Sequence, residues 1–119
     1  MQPMMSSLPL PLLLDCEAIH DYNSMLAVAT VIMNRVESPL FPNSIHGVIY
    51  ATGQFEPVWS GRLDSVLNSG PSSLALQVAQ DAVNGARLSS VIDCYFFLYA
   101  GGTDRPGVNV GGNLFFQSW

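Results

Sequence analysis

The stretch DCEAIHDYNSMLAVATVIMNRV, Asp15 to Val36, decides how the rest of the chain must be arranged. In its second half Met25, Leu26, Ala27, Val28, Ala29, Val31, Ile32, Met33 and Val36 leave only Thr30, Asn34 and Arg35 polar, so a helix here is apolar on nearly every face. Such a helix belongs inside a core or a membrane. Met25 to Val36 falls well short of the roughly 20 residues that a bilayer requires, which predicts the buried central helix of a small soluble domain. The helix is predicted over Ser24–Glu37, with Asn23 or Ser24 as N-cap and Arg35 in the last turn, where a cation meets the negative end of the helix dipole. It stops at Ser38-Pro39 because a residue before proline is pushed away from helical dihedrals.

Just upstream stands Glu17, between Cys16 and Ala18 and after Leu12, Leu13 and Leu14. A carboxylate beside a core has two readings. One is an exposed glutamate on a helix that turns its leucines inward. The other is a general acid whose pKa is raised by apolar neighbours, as cleavage of a glycosidic bond near neutral pH requires. The residues around it leave both open.

The order of segments adds a second line of argument. Glu17-Ala18 is followed by a short polar turn, then by AVATVIMNRV (27–36), SPLFPNSIHGVIY (38–50) and GQFEPVWSGR (53–62). This order resembles the cell wall hydrolase family typified by the catalytic domain of the spore cortex-lytic enzyme SleB, over about Leu13 to Phe116. The chain departs from the family pattern in the turn IHDYNS (19–24), which is shorter and lacks the usual glycine and second glutamate; Asp21 stands in that region instead. The resemblance implies a lysozyme-like domain that cleaves the glycan strands of peptidoglycan outside the cytoplasm, in wall or spore cortex. It also implies that Glu17 matches the family's catalytic glutamate, and it calls for no cofactor.

Composition bounds the alternatives. With 119 residues, 49% hydrophobic and 11% charged, the chain is one domain with a real core and large uncharged surfaces. Four arginines, no lysine and nine acidic residues give a net charge of -5, which excludes the phosphate-neutralising patch of a nucleic-acid binder. Grip on an anionic cell wall must then come from short-range stacking and hydrogen bonds. The start, MQPMMSSLPLPLLLDC, has leucines but neither a basic n-region nor a small-residue cleavage site, so residues 1–11 are expected to be a flexible lead-in to a catalytic domain over 12–119. Cys16 and Cys94 allow one disulfide in an oxidising compartment, although a buried free thiol is the commoner fate.

Coarse patterning predicts a mostly helical domain with a small antiparallel sheet, an α+β build. Helices are expected over Leu12–Tyr22, carrying Glu17 near its end, over Ile45–Tyr50 behind an Asn43 or Ser44 cap, and from Ser72-Ser73 through Val83, ended by Asn84-Gly85. The β-prone runs VIDCYFFLYA and VNVGGNLFFQSW, separated by GGTDRPG, predict a β-hairpin.

Glycosidases usually employ two carboxylates. Asp21 lies close to Glu17 in sequence, but Tyr22-Asn23-Ser24 suggests that the first helix has ended, while Glu56, Asp64, Asp93 and Asp104 read as solvated charges. A one-carboxyl mechanism fits better, that of the lytic transglycosylases the family resembles. Gln54, Phe55, Trp59, Tyr95 and Tyr99 are the candidate groove residues, since aromatic faces stack on sugar rings and amides bond hydroxyls and N-acetyl groups; each has a core alternative. Asn34 reads as a clamp on loop backbone. Two rivals stand beside this reading. A zinc amidase would draw on His20, His46, Cys16, Cys94 and the aspartates, but neither an HExxH nor a CxxC spacing is present, so no metal ligands are assigned. A glycan-binding module without catalysis is compatible with the altered turn.

Overall fold

The computed structural model describes residues 9–51, 55 and 70–118. Its first helix, α1, spans Pro9–Glu17. It therefore begins at Pro9 rather than Leu12 and stops at Glu17 rather than Tyr22. The physical reason for the early start is that the first turn of a helix has no intrahelical partners for its N–H groups, so Pro9 and Pro11 cost it nothing there. Pro9, Leu10, Pro11, Leu12, Leu13 and Leu14 are all buried, so residues 9–11 belong to the core rather than to a lead-in. Burying each leucine contributes about 1.5–3 kcal/mol.

The central helix, α2, spans Tyr22–Glu37. Met25, Ala27, Val28, Ala29, Val31 and Ile32 are completely buried, as an all-round apolar helix must be. The cap is Asp21 rather than Asn23 or Ser24: its carboxylate accepts from the backbone N of Ser24, and the helix ends at Ser38 as the following proline dictates.

Three polar side chains interrupt this apolar surface, and each holds the strand-ward loop. Thr30 Oγ1 donates to the carbonyl of Leu26 at 2.7 Å and accepts from the backbone N of Leu88 at 3.0 Å. Asn34 Nδ2 donates to the carbonyls of Ile92 at 2.9 Å and Cys94 at 2.8 Å, the clamp expected from its position. Arg35 Nε donates to the carbonyl of Tyr95 at 2.8 Å. Arg35 is only 4% exposed, and its Cζ lies 4.9, 5.2 and 5.1 Å from the ring centres of Phe41, Phe55 and Phe96. Its guanidinium thus acts inside an aromatic cage rather than as a solvated charge at the helix end. Burial pushes it down to about 10, which leaves it charged at neutral pH.

Around α2 pack the short α3 (Ile45–Ile49), capped by Ser44, and α4 (Ser73–Val83), capped by Ser72 and ended at Asn84. Tyr22 Oη donates to Asp81 Oδ2, which ties the first turn of α2 to α4.

The small antiparallel sheet expected from the sequence is present and has three strands. Strands β1 (Phe96–Tyr99), β2 (Val108–Val110) and β3 (Asn113–Phe116) are antiparallel in the order β1-β3-β2. The run VNVGGNLFF is itself a two-stranded hairpin whose turn is Gly111-Gly112, with φ of 58° and 84°. Positive φ at both central residues matches the right-handed twist of the flanking strands, and glycine adopts it without steric cost. Phe115, fully buried, presses the sheet onto the helical core, and Phe97 lies beside it, the rings tilted at 32° with centres 5.5 Å apart. Cys16 and Cys94 are not joined in a disulfide. Among the described residues no helix is long and apolar enough to cross a membrane.

Candidate active site

Glu17 is the last residue of α1 and is half-buried. After it the chain leaves the helix in a tight turn, in which Asp21 N donates to the carbonyl of Ile19 at 2.8 Å, and re-enters helix at Tyr22. The apolar face of α1 fixes the helix against the core, so Glu17 emerges at the edge of that core.

The acids flanking Glu17 are both engaged by serines at helix N-termini. Asp15 accepts from the backbone N of Ser72 at 2.7 Å and from its hydroxyl at 2.6 Å, while Ser72 Oγ accepts from Ala75 N at 3.1 Å. A carboxylate at the start of α4 meets the positive end of that helix. Asp21 accepts from Ser24 N and Ser24 Oγ, and these bonds hold its carboxyl below the usual carboxylate range.

The sheet reaches the same segment from the other side. Asn113 Nδ2 donates to the backbone carbonyl of Glu17 at 2.8 Å. Tyr99 pairs with Asn113 across the β1–β3 ladder, so the two share a face of the sheet. Tyr99 is 73% exposed, beyond the part of that face covered by the core, with its ring lying close over Gly101. Gly111 abuts Ser24 and Ile19: a Cβ at this position would collide with Ser24 Oγ and lie 3.3 Å from Ile19 Cγ1.

Of the other expected groove residues, Phe55 is only 5% exposed. It stacks on Phe97 at 5.9 Å and covers Arg35, a packing position rather than a groove position, because an aromatic ring shielding a buried cation has no free face to offer a sugar. Tyr95 is half-buried and stacked on Phe41 at 6.1 Å, just before β1, whereas Tyr99 ends that strand. The structure brings Tyr99 alone of the three to the end of the sheet that touches the Glu17 segment. Gln54 and Trp59 lie outside the described residues, as do Glu56 and Asp64. Asp93 and Asp104 are exposed, as expected.

Among the described residues no group of three or more His, Cys, Asp and Glu side chains is arranged to hold a metal ion. His20 and His46 are both exposed, with the His46 ring 4.5 Å from that of Tyr50.

Asn113, Asp15 and Gly111 escaped the sequence reading. Only Gly111 had a clear signal, since Gly-Gly between two β-prone runs is a hairpin turn. Asn113 and Asp15 are single polar residues whose partners lie far away in the chain, and no local pattern reports them.

Comparison with known proteins places these features in a family. The pattern of the cell wall hydrolases matches residues 20–108. The spore cortex-lytic enzyme of Bacillus subtilis (strain 168) is 41% identical over 64 residues, which make up 54% of this chain and 20% of that protein. Its counterpart in Halalkalibacterium halodurans is 36% identical over 75 residues, covering 63% and 22%. The chain thus spans about a fifth of the length of these curated relatives. Two solved structures resemble it over nearly their whole length. The catalytic domain of the germination-specific lytic transglycosylase SleB from Bacillus anthracis has a TM-score of 0.76 and 25% identity, with 92% of each chain covered. The catalytic domain of the Bacillus cereus SleB protein also has a TM-score of 0.76, with 26% identity and coverage of 93% and 89%. Together with the mixed α+β fold and the order of its motifs, the family pattern over residues 20–108 shows that this chain belongs to the cell wall hydrolase family.

Proposed function

We propose that the chain cleaves the glycan strands of peptidoglycan between N-acetylmuramic acid and N-acetylglucosamine, as a lytic transglycosylase with Glu17 as acid and then base. The observation that carries this reading is the engagement of both neighbouring acids: Asp15 and Asp21 are bonded to serines at helix N-termini, so neither is poised as a second catalytic carboxylate beside Glu17. The family pattern begins at residue 20, so the role of Glu17 rests on its place in the fold and on the Glu-Ala motif rather than on that match.

The chemistry needs one carboxyl. The protonated Glu17 donates to the glycosidic oxygen as the bond from that oxygen to the muramic C1 breaks. The resulting carboxylate takes the proton of the muramic C6 hydroxyl as its oxygen closes on C1. Glu17 ends as it began, no water is consumed, and the product carries a 1,6-anhydro ring. The tethered hydroxyl brings the effective concentration of an intramolecular nucleophile. Tyr99, exposed at the end of β1 and paired with Asn113, supplies a ring face on which a sugar stacks. Gln54 and Trp59 are proposed to complete the groove, and the site of action is outside the cytoplasm, where the polymer lies.

Glu17→Gln tests the assignment. Gln keeps the shape but has no proton to give, so clearance of a purified peptidoglycan suspension should fall by about 10²–10⁴-fold while the fold persists. Clearance within about tenfold of wild type would move the acid elsewhere. Binding to the wall with no fragment release by the wild-type chain would favour the glycan-binding module instead.

A further inference from the structure

The β2–β3 hairpin grips the chain on both sides of the turn that follows Glu17. Asn113 Nδ2, at the start of β3, bonds the carbonyl of Glu17, and Gly111 in the hairpin turn sits against Ser24 and Ile19. The carbonyl of Glu17 belongs to the last turn of α1, where helix carbonyls have no intrahelical donor and helices fray. Asn113 is 8% exposed and the bond is partly buried, which limits competition by water. The direction of the Cα–Cβ bond of Glu17 depends on where the Glu17–Ala18 peptide plane is held, and that plane is held at two points: Ala18 N donates to the carbonyl of Leu14 at 3.0 Å, and the Asn113 amide donates to the carbonyl of Glu17.

From this geometry we propose that Asn113 is a positioning residue for Glu17, which it aims by fixing the C-terminal end of α1 to the sheet; the proposal rests on the reading of Glu17 as the acid. A general acid must come within about 2.6–3.2 Å of the oxygen it protonates. An error of 1 Å in such a placement costs about 10²-fold in rate. Because Asn113 also pairs with Tyr99, the same contact sets the spacing between the acid and the aromatic surface at the end of β1. Substrate binding by the rest of the groove does not depend on the Glu17 carbonyl, so the loss should fall on kcat and not on KM.

The test compares Asn113→Asp, which keeps shape but replaces the donor with an acceptor, and Asn113→His, whose imidazole N–H lies as many bonds from Cα as the lost amide. Both are assayed on purified peptidoglycan beside wild type and Glu17→Gln, with thermal melting recorded for each. Asn113→Asp should lower kcat by about 10–100-fold with KM within about twofold, Asn113→His should recover most of that loss, and Asn113→Asp should cost nothing further in the Glu17→Gln background. Should Asn113→Asp fail to fold, Asn113→Ser carries the same comparison, since its hydroxyl ends one bond short. Wild-type kcat in the donor-less variant, with Glu17→Gln inactive, overturns the proposal and spares the role of Glu17. Equal losses in the Asp and His variants that track their melting temperatures also overturn it, leaving Asn113 a stabilising contact alone. Activity retained by Glu17→Gln removes the reading on which the proposal stands.

Discussion

The carboxylate of Asp21 accepts hydrogen bonds from the backbone N of Ser24 at 3.0 Å and from the Ser24 hydroxyl at 2.9 Å. These bonds make Asp21 the N-cap of the central helix, a task that asparagine performs about equally well. Asp21→Asn should therefore retain wall clearance within a few-fold of wild type, whereas a second catalytic carboxylate would not survive the change. The pH dependence follows from the same bonds. Asp21 is held below its ordinary value of 3.8, chiefly by the Ser24 backbone bond, so its stabilising effect is present above the unfolded-chain value and is lost as pH falls through the folded one. Thermal melting followed from about pH 5 to pH 2 should show the wild type losing its advantage over Asp21→Ala, and parallel curves would contradict the ionised cap.

Asn34 satisfies the carbonyls of Ile92, in a partly buried bond, and Cys94, in a buried one, and its removal leaves the buried Cys94 carbonyl without this donor. Asn34→Leu should cost on the order of 2–4 kcal/mol by chemical denaturation. A change below about 0.5 kcal/mol, the range of an ordinary surface substitution, would mean that the clamp contributes little.

The hairpin turn offers a paired comparison. Gly111 and Gly112 both have positive φ, but a Cβ on Gly111 would collide with Ser24 while one on Gly112 meets open space. Gly112→Ala should cost about 1–2 kcal/mol, the backbone term alone. Gly111→Ala should cost clearly more and should also weaken wall clearance, because Ser24 holds the turn that follows Glu17. Equal effects on stability from the two variants would mean that the hairpin yields to the central helix rather than bracing it.

Much of this architecture was legible from residue order. The apolar run from Met25 to Val36 identified the buried helix, the Ser38-Pro39 step its end, and Asn34 its clamp, because a lone amide on a buried helix must find a partner. The start of α1 was hidden by Pro9 and Pro11, which read as helix breakers although the first turn of a helix tolerates them. The mixed aromatic and polar surroundings of Phe55 in sequence fit a groove and an ordinary loop alike; its burial is set by Phe97 and Arg35, which are distant in sequence. The same non-locality concealed the contact of Asn113 with Glu17. The separate hairpin within VNVGGNLFF is visible in its two glycines, although the longer GGTDRPG segment is the more obvious turn.

Cleavage of the glycan by one carboxyl, Glu17, with closure by the muramic C6 hydroxyl leaves its mark on the products. Mass spectrometry of the soluble fragments released from purified peptidoglycan should show muropeptides ending in 1,6-anhydromuramic acid, lighter by one water than their hydrolytic counterparts, and their disappearance with Glu17→Gln. Fragments bearing only reducing muramic ends, with Asp21→Asn as damaging as Glu17→Gln, would contradict this mechanism and make the site a two-carboxylate hydrolase.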